Sequence, residues 1–282
     1  MRGTINYIII NDNCVVYAAD ATAQQLRTIP MDEKFNIVLL KSMPIRDNTL
    51  IVGFPGVGLI GSIAANFMID SLKMEVVGYM QSDKLPPAAV VQGGIPLPPV
   101  RIYQHDGLAV LLSDFAVPIQ LSSMMAQTIL DWQDGKSRFK SIITLEGLMA
   151  EPTEEKAEIK VYGVGSTESA RKRLSAAKIE IFDHGWITGV SGLLLSEGSR
   201  LGQETICLLG TANAMYPDAR SAAKLVETVD ALMPEIKLDL KPLIDEAEKI
   251  EENIKTQMDK AKEIVSARQG TADRMTKSYM YG

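Results

Sequence analysis

Apolar residues along this chain follow two rhythms. Short aliphatic and β-branched runs predict strands at 35–41, Leu50 to Val52, Val76 to Met80, Ala88 to Val91, Val100 to Tyr103, Leu108 to Leu112, Ser141 to Leu145, Ile159 to Val164 and Thr205 to Leu209. Between them, apolar positions recur every three or four residues and predict helices. One carries Leu59, Ile63, Phe67 and Leu72. A second carries Leu121, Met124, Met125, Thr128, Ile129 and Trp132, with Gly135 ending it. A third opens at Thr167. A fourth runs through Ala222, Leu225, Val229 and Leu232, with Asp218 as its N-cap. Residues 185–192 are rich in glycine and lead into Leu193-Leu194-Leu195. Alternating strands and helices predict an α/β fold with a mainly parallel sheet flanked by helices, and the short strands around 88–112 make that sheet mixed.

The ends of the chain differ from this core of residues 31–236. Residues 5–17 hold two β-branched runs around Asn11-Asp12-Asn13, a hairpin pattern, so residues 1–30 read as an appended strand pair or extension. After Pro234, Leu243, Ala247, Ile250, Ile254, Met258, Ala261 and Val265 form one narrow apolar stripe. It predicts a long amphipathic helix over 237–270, with acidic residues early and basic residues late, as the helix dipole favours. The stripe suits packing on its own domain or a helix contact between subunits. Residues 271–282 are small, polar and charged, which predicts a flexible tail that reaches ~40 Å when extended.

Composition narrows the function. The net charge of −6 gives no general attraction to nucleic acid. Cys14 and Cys207 are too few for a disulfide framework. The start lacks a signal-peptide pattern, and no apolar run approaches the ~20 residues that span a bilayer. A soluble, cytoplasmic protein without membrane contact is expected.

The fold is organised around TLIVGFPGVGLIGSIAANF, residues 49–67, read as strand, glycine turn and helix. Gly56, Gly58 and Gly61 match GxGxxG, a turn that lets a pyrophosphate approach a helix N-terminus. On that reading the protein is a nucleotide- or nucleoside-binding enzyme using the loop from Gly53 to Gly61. The ribose would need an acid after the next strand, where Asp83 is the candidate and Glu75 sits at the wrong end. The other reading is that these glycines let the helix pack closely on the sheet, with no cofactor bound.

Elsewhere the chemical signals are sparse. His105 and His184, beside Asp106 and Asp183, lack a spaced second ligand, so no metal is expected. Ser191 lies in Gly-Val-Ser-Gly-Leu, short of the nucleophile-elbow pattern, and nothing in the sequence positions it with His184 and an acid. Asp114 and Glu146 follow apolar strands, where such a fold places either functional carboxylates or cap and loop acceptors. No glycine loop continues into Gly-Lys-Ser/Thr. The loops 84–87 and 93–99 combine prolines with apolar residues, as ordinary turns or as a subunit interface.

The blocks GFPGVGLIG, SDKLPPAAVV and PPVRIY, with Gly185 to Leu195 and Tyr216-Pro217-Asp218, resemble the archaeal proteasome-assembly chaperone family, related to the second eukaryotic proteasome-assembling chaperone. The resemblance covers about Phe35 to Leu232. It implies a nucleoside phosphorylase-like core, homo-oligomers, and action by binding rather than catalysis. It also implies a partner, the α-subunits of the proteasome core particle. Met280-Tyr281-Gly282 then gains meaning as a hydrophobic-Tyr-X tail. A terminal carboxylate pairs with a lysine, Tyr281 fills a pocket while its hydroxyl stays satisfied, and Met280 adapts to an uneven slot.

Overall fold

The computed structural model describes residues 8–9, 35–41, 48–132, 139–149, 159–234, 236, 238 and 240–245. Twelve strands and five α-helices are assigned among them. In chain order these are β1 (Ile8–Ile9), β2 (Asn36–Leu39), β3 (Thr49–Gly53), α1 (Ile60–Ser71), β4 (Glu75–Gln81), β5 (Val90–Gln92), β6 (Ile95–Leu97), β7 (Val100–His105), β8 (Leu108–Ser113), α2 (Ile119–Asp131), β9 (Ser141–Met149), β10 (Val161–Gly165), α3 (Glu168–Ala176), β11 (Glu180–Ile181), α4 (Gly189–Leu201), β12 (Thr205–Ala212) and α5 (Ala219–Leu232).

Ten strands form one sheet in the order β1-β2-β4-β7-β8-β3-β9-β12-β10-β11. The centre, β8-β3-β9-β12, is parallel. The wing β1-β2-β4-β7-β8 is antiparallel, as is the pairing of β12 with β10. The mixed α/β sheet flanked by helices is thus as the hydrophobic pattern predicts. Its central strands are buried on both faces: β3 and β8 have no exposed position, which accounts for their unbroken apolar runs.

Two cores follow from strand alternation. Ile51, Val110, Leu112, Ile143, Leu145, Ile206 and Leu208 face α1, α3 and α5. Leu50, Val52, Ala109, Leu111 and Ile142 face the other way, against Met125, Ala126 and Ile129 of α2 and Val190 and Leu194 of α4. Asp218 caps α5 as its position predicts, accepting from the Ser221 amide at 3.0 Å, and Thr167 caps α3.

Several elements differ from the pattern. The strand expected over Ala88 to Val91 is β5, at Val90–Gln92; Gly93 and Gly94, both at positive φ, turn it back onto β6 in a separate hairpin. Glu146 does not follow β9 but lies inside it, because that strand pairs with β12 as far as Met149. The second half of the glycine-rich stretch, from Gly189, opens α4, where tertiary packing overrides weak helix propensity, while residues 185–188 stay irregular. β1 joins the sheet edge at Ile8–Ile9, and the rest of the predicted N-terminal hairpin lies outside the described residues. Residues 241–245 are helical, and Leu243 is buried in the core with α1 and α5. Of the helix expected over 237–270, residues 238 and 240 are not helical, and residues 246–282, with the tail, lie outside the described residues.

Candidate functional site

The carboxyl ends of β3, β9 and β12 lie side by side, and the loops that leave β3 and β12 meet there. This edge is where open α/β sheets bind ligands. After β3 the chain makes a short 3-10 turn at Val57–Leu59 before α1. Gly58 adopts φ +62°, and its carbonyl accepts from the Asp218 amide at 2.8 Å, tying this loop to the one after β12. Leu59 also sits in the left-handed region, at φ 54°, a conformation costing a non-glycine residue ~1–2 kcal/mol.

Protein atoms fill the space that the glycines leave. A Cβ on Gly61 would lie 2.3 Å from the Leu145 carbonyl oxygen, and one on Gly58 would lie 2.8 Å from that of Asn213. Both positions therefore bring backbone against backbone. Gly56 is the exposed member of the three, and its Cβ direction points at Glu146 Oε2, 3.2 Å away. A carboxylate thus stands where the dinucleotide reading would bring a pyrophosphate. The ribose acid is not brought near either. β4, which precedes Asp83, runs in the same direction as β3 but is separated from it by β7 and β8, where a dinucleotide fold has the two strands adjacent.

Glu146 forms the floor of this edge. Its Oε1 accepts from Ser191 Oγ at 2.5 Å, joining β9 to the first turn of α4. Burial pushes its carboxyl above the ordinary range, and the Ser191 hydrogen bond offsets only part of that. Beneath it, the fully buried Cys207 thiol is pushed upward by burial and by the neighbouring Glu146, with the Thr144 hydroxyl lowering it in part. Cys207 is therefore an unreactive thiol. The sequence did not pair Glu146 with Ser191, since they lie 45 positions apart. His184 is hydrogen-bonded to neither.

Asp114 has a structural role. It binds Arg101, whose side chain is 0% exposed, through Nη1 at 2.6 Å and Nη2 at 3.2 Å. Arg101 also donates to the Tyr103 hydroxyl and the Pro98 carbonyl, so it fixes the proline turn before β7. Burial alone would lower the Arg101 pKa, but Asp114 and Tyr103 outweigh it and the net shift is upward. An arginine in the otherwise apolar VRIY was the available sequence signal. His105 lies 3.6 Å from Asp106 in an exposed turn. Among the described residues no group of three metal-ligating side chains occurs, and no helix is long and apolar enough to cross a membrane.

The edge also bears large apolar side chains in solvent. Trp186, just before α4, is 94% exposed, and Met215, after β12, is 90% exposed. Leu59 and Met149 are exposed at the same edge. Val91 and Ile95 are exposed on the β5-β6 hairpin, next to a groove lined by Leu85, Pro86, Pro87, Pro98 and Pro99.

Comparison with known proteins agrees with this architecture. Residues 50–258 match the model of the PAC2 family. An uncharacterised protein of Methanocaldococcus jannaschii is 33% identical over 211 residues, covering 74% of this chain and 85% of that protein. Among solved structures, PbaA of Pyrococcus furiosus, an archaeal homolog of proteasome-assembly chaperone, superposes with a TM-score of 0.74 at 32% identity, covering 86% of this chain and 99% of that one. PbaB of the same organism, an archaeal proteasome activator, shares the fold with a TM-score of 0.68 at 24% identity, covering 80% of this chain and all of that one. The match of the family model over most of its length, with these relatives, shows that the chain belongs to the PAC2 family.

Proposed function

We propose that this protein is a proteasome-assembly chaperone-like factor that acts by binding the α-ring of the proteasome core particle. The observation that carries this reading is the likeness to PbaA across nearly all of that chain. The site geometry favours binding over catalysis, because Gly58 and Gly61 are occupied by backbone contacts and the Ser191 hydroxyl is spent on Glu146. The partner contact is assigned to Met280, Tyr281 and the carboxylate of Gly282, which enter pockets between adjacent α-subunits. The protein works in the cytoplasm as a homo-oligomer, with the exposed β5-β6 hairpin and the proline-rich loops offering apolar surface for that contact. One three-residue tail has little contact area and binds weakly; several on one oligomer gain strongly from effective concentration.

The test is binding of the full chain to purified core particle. Three forms are compared: intact, lacking Met280 to Gly282, and extended by one alanine beyond Gly282. Binding by the intact form alone supports the reading. Equal binding by all three removes the tail from it, and no binding by the intact chain removes the partner.

A further inference from the structure

The β5-β6 hairpin forms a sheet of its own, apart from the ten-stranded one. Its register fixes where its backbone groups point. Val91 lies opposite Pro96, between the pairs Val90–Leu97 and Gln92–Ile95. Proline has no N–H, so Val91 and Pro96 form a non-hydrogen-bonded pair and the two flanking pairs carry the ladder. The N–H and carbonyl of Val91 therefore point away from β6. β5 pairs with no other strand, and Val91 is 66% exposed.

The two edges of this hairpin differ. On β6 the outward-facing position is Pro96, and Pro98 repeats it two residues on, so that edge offers no N–H donor at either. The β11 edge of the large sheet is guarded by charge instead, with Lys178, Glu180 and Asp183 on or beside the strand. β5 carries neither safeguard. Its edge is open in a hairpin that, with two strands, is marginal in water and gains from further strands.

The occupant follows from charge. Residues 85–100 contain no charged side chain, in a chain of net charge −6. An acidic or basic peptide would find no counter-charge on this hairpin. A second copy of the chain repels the first wherever acidic residues meet, and pairing about a two-fold axis sets a residue opposite its own copy, where like charges destabilise. An uncharged strand centred on a β-branched valine removes that repulsion and supplies an apolar cross-strand pair.

We propose that two copies of this protein join through their β5 edges. The strands run antiparallel, Val91 lies opposite Val91 of the partner subunit, and each N–H donates to the other's carbonyl, giving a four-stranded sheet β6-β5-β5-β6. This rests on the homo-oligomer of the proposed function and adds the residues and symmetry of one of its contacts.

The test measures the mass of the full chain in solution by multi-angle light scattering. The parent should hold an even number of subunits. Val91→Pro removes the outward N–H and leaves the β5-β6 hydrogen bonds in place, so the mass should halve. Val91→Lys and Val91→Glu keep the backbone donor but set like charges opposite one another; each alone should halve the mass, and mixing the two should restore it. Circular dichroism checks that every variant is folded. An odd subunit number, an unchanged mass in Val91→Pro, or no recovery on mixing overturns the β5 contact while leaving the homo-oligomer standing. A monomeric parent overturns both and leaves the edge to an extended segment of another protein. Core-particle binding is not read, so the tail experiment is independent of these outcomes.

Discussion

Replacing Gly61 by alanine separates a glycine that permits packing from one that permits a ligand. The new Cβ would lie 2.3 Å from the Leu145 carbonyl oxygen and 3.0 Å from that of Phe54. Ordinary contact begins at 3.4 Å, so one backbone must retreat by about 1 Å, which for an over-packed core costs ~3 kcal/mol, the upper end of the usual range. The retreat is hard to absorb, because Leu145 belongs to β9, held by β3 on one side and β12 on the other. Alanine gains up to ~1 kcal/mol of helix propensity over glycine, and less here at the second residue of α1. The net expectation is a loss of ~2 kcal/mol. For a domain of this size that lowers Tm by ~4–8 °C. Urea unfolding followed by circular dichroism measures it directly. A change below ~0.5 kcal/mol would refute the packing argument, particularly if a nucleotide stabilised the parent and not the variant.

Three further outcomes follow from other contacts. Asp114→Ala should cost ~3 kcal/mol in the same unfolding assay, because it leaves the Arg101 guanidinium buried and without its anion; a change under ~1 kcal/mol would contradict that pairing. Glu146 has a folded-state pKa above its unfolded value, so its contribution to stability is fully present below the unfolded pKa and is lost as pH rises through the folded one; Glu146→Gln should therefore gain on the parent as pH rises through the folded pKa, and parallel pH profiles would disprove this. In a Cys14→Ser background, the Cys207 thiol should resist Ellman's reagent in the folded protein and react fully in guanidinium, whereas rapid native labelling would show it to be accessible.

Local signals were legible where a residue's role is set by its neighbours in sequence. The run before Gly53, the glycine turn, and the caps Thr167 and Asp218 each act within a few positions, and the elements form as the pattern predicts. Length was less legible: β9 runs on to Met149 because β12 pairs with it throughout, and no local pattern reports a partner 63 residues away. The same limit hid the two polar contacts that matter most. Asp114 was visible as an acid after a strand, but its arginine sits on the adjacent antiparallel strand. Glu146 and Ser191 were visible separately, and only the folding of α4 against β9 joins them. Gly61 matched a phosphate-binding pattern because close packing and close ligand approach select the same residue, and only the Leu145 carbonyl distinguishes them.

The most direct test of the account is the affinity of the full chain for assembled proteasome core particle, measured with and without Met280-Tyr281-Gly282. The account predicts saturable binding that is lost with those three residues while the fold is retained. Saturable binding that survives their removal would contradict the tail's role, and absence of binding by the intact chain would contradict the proposed partner.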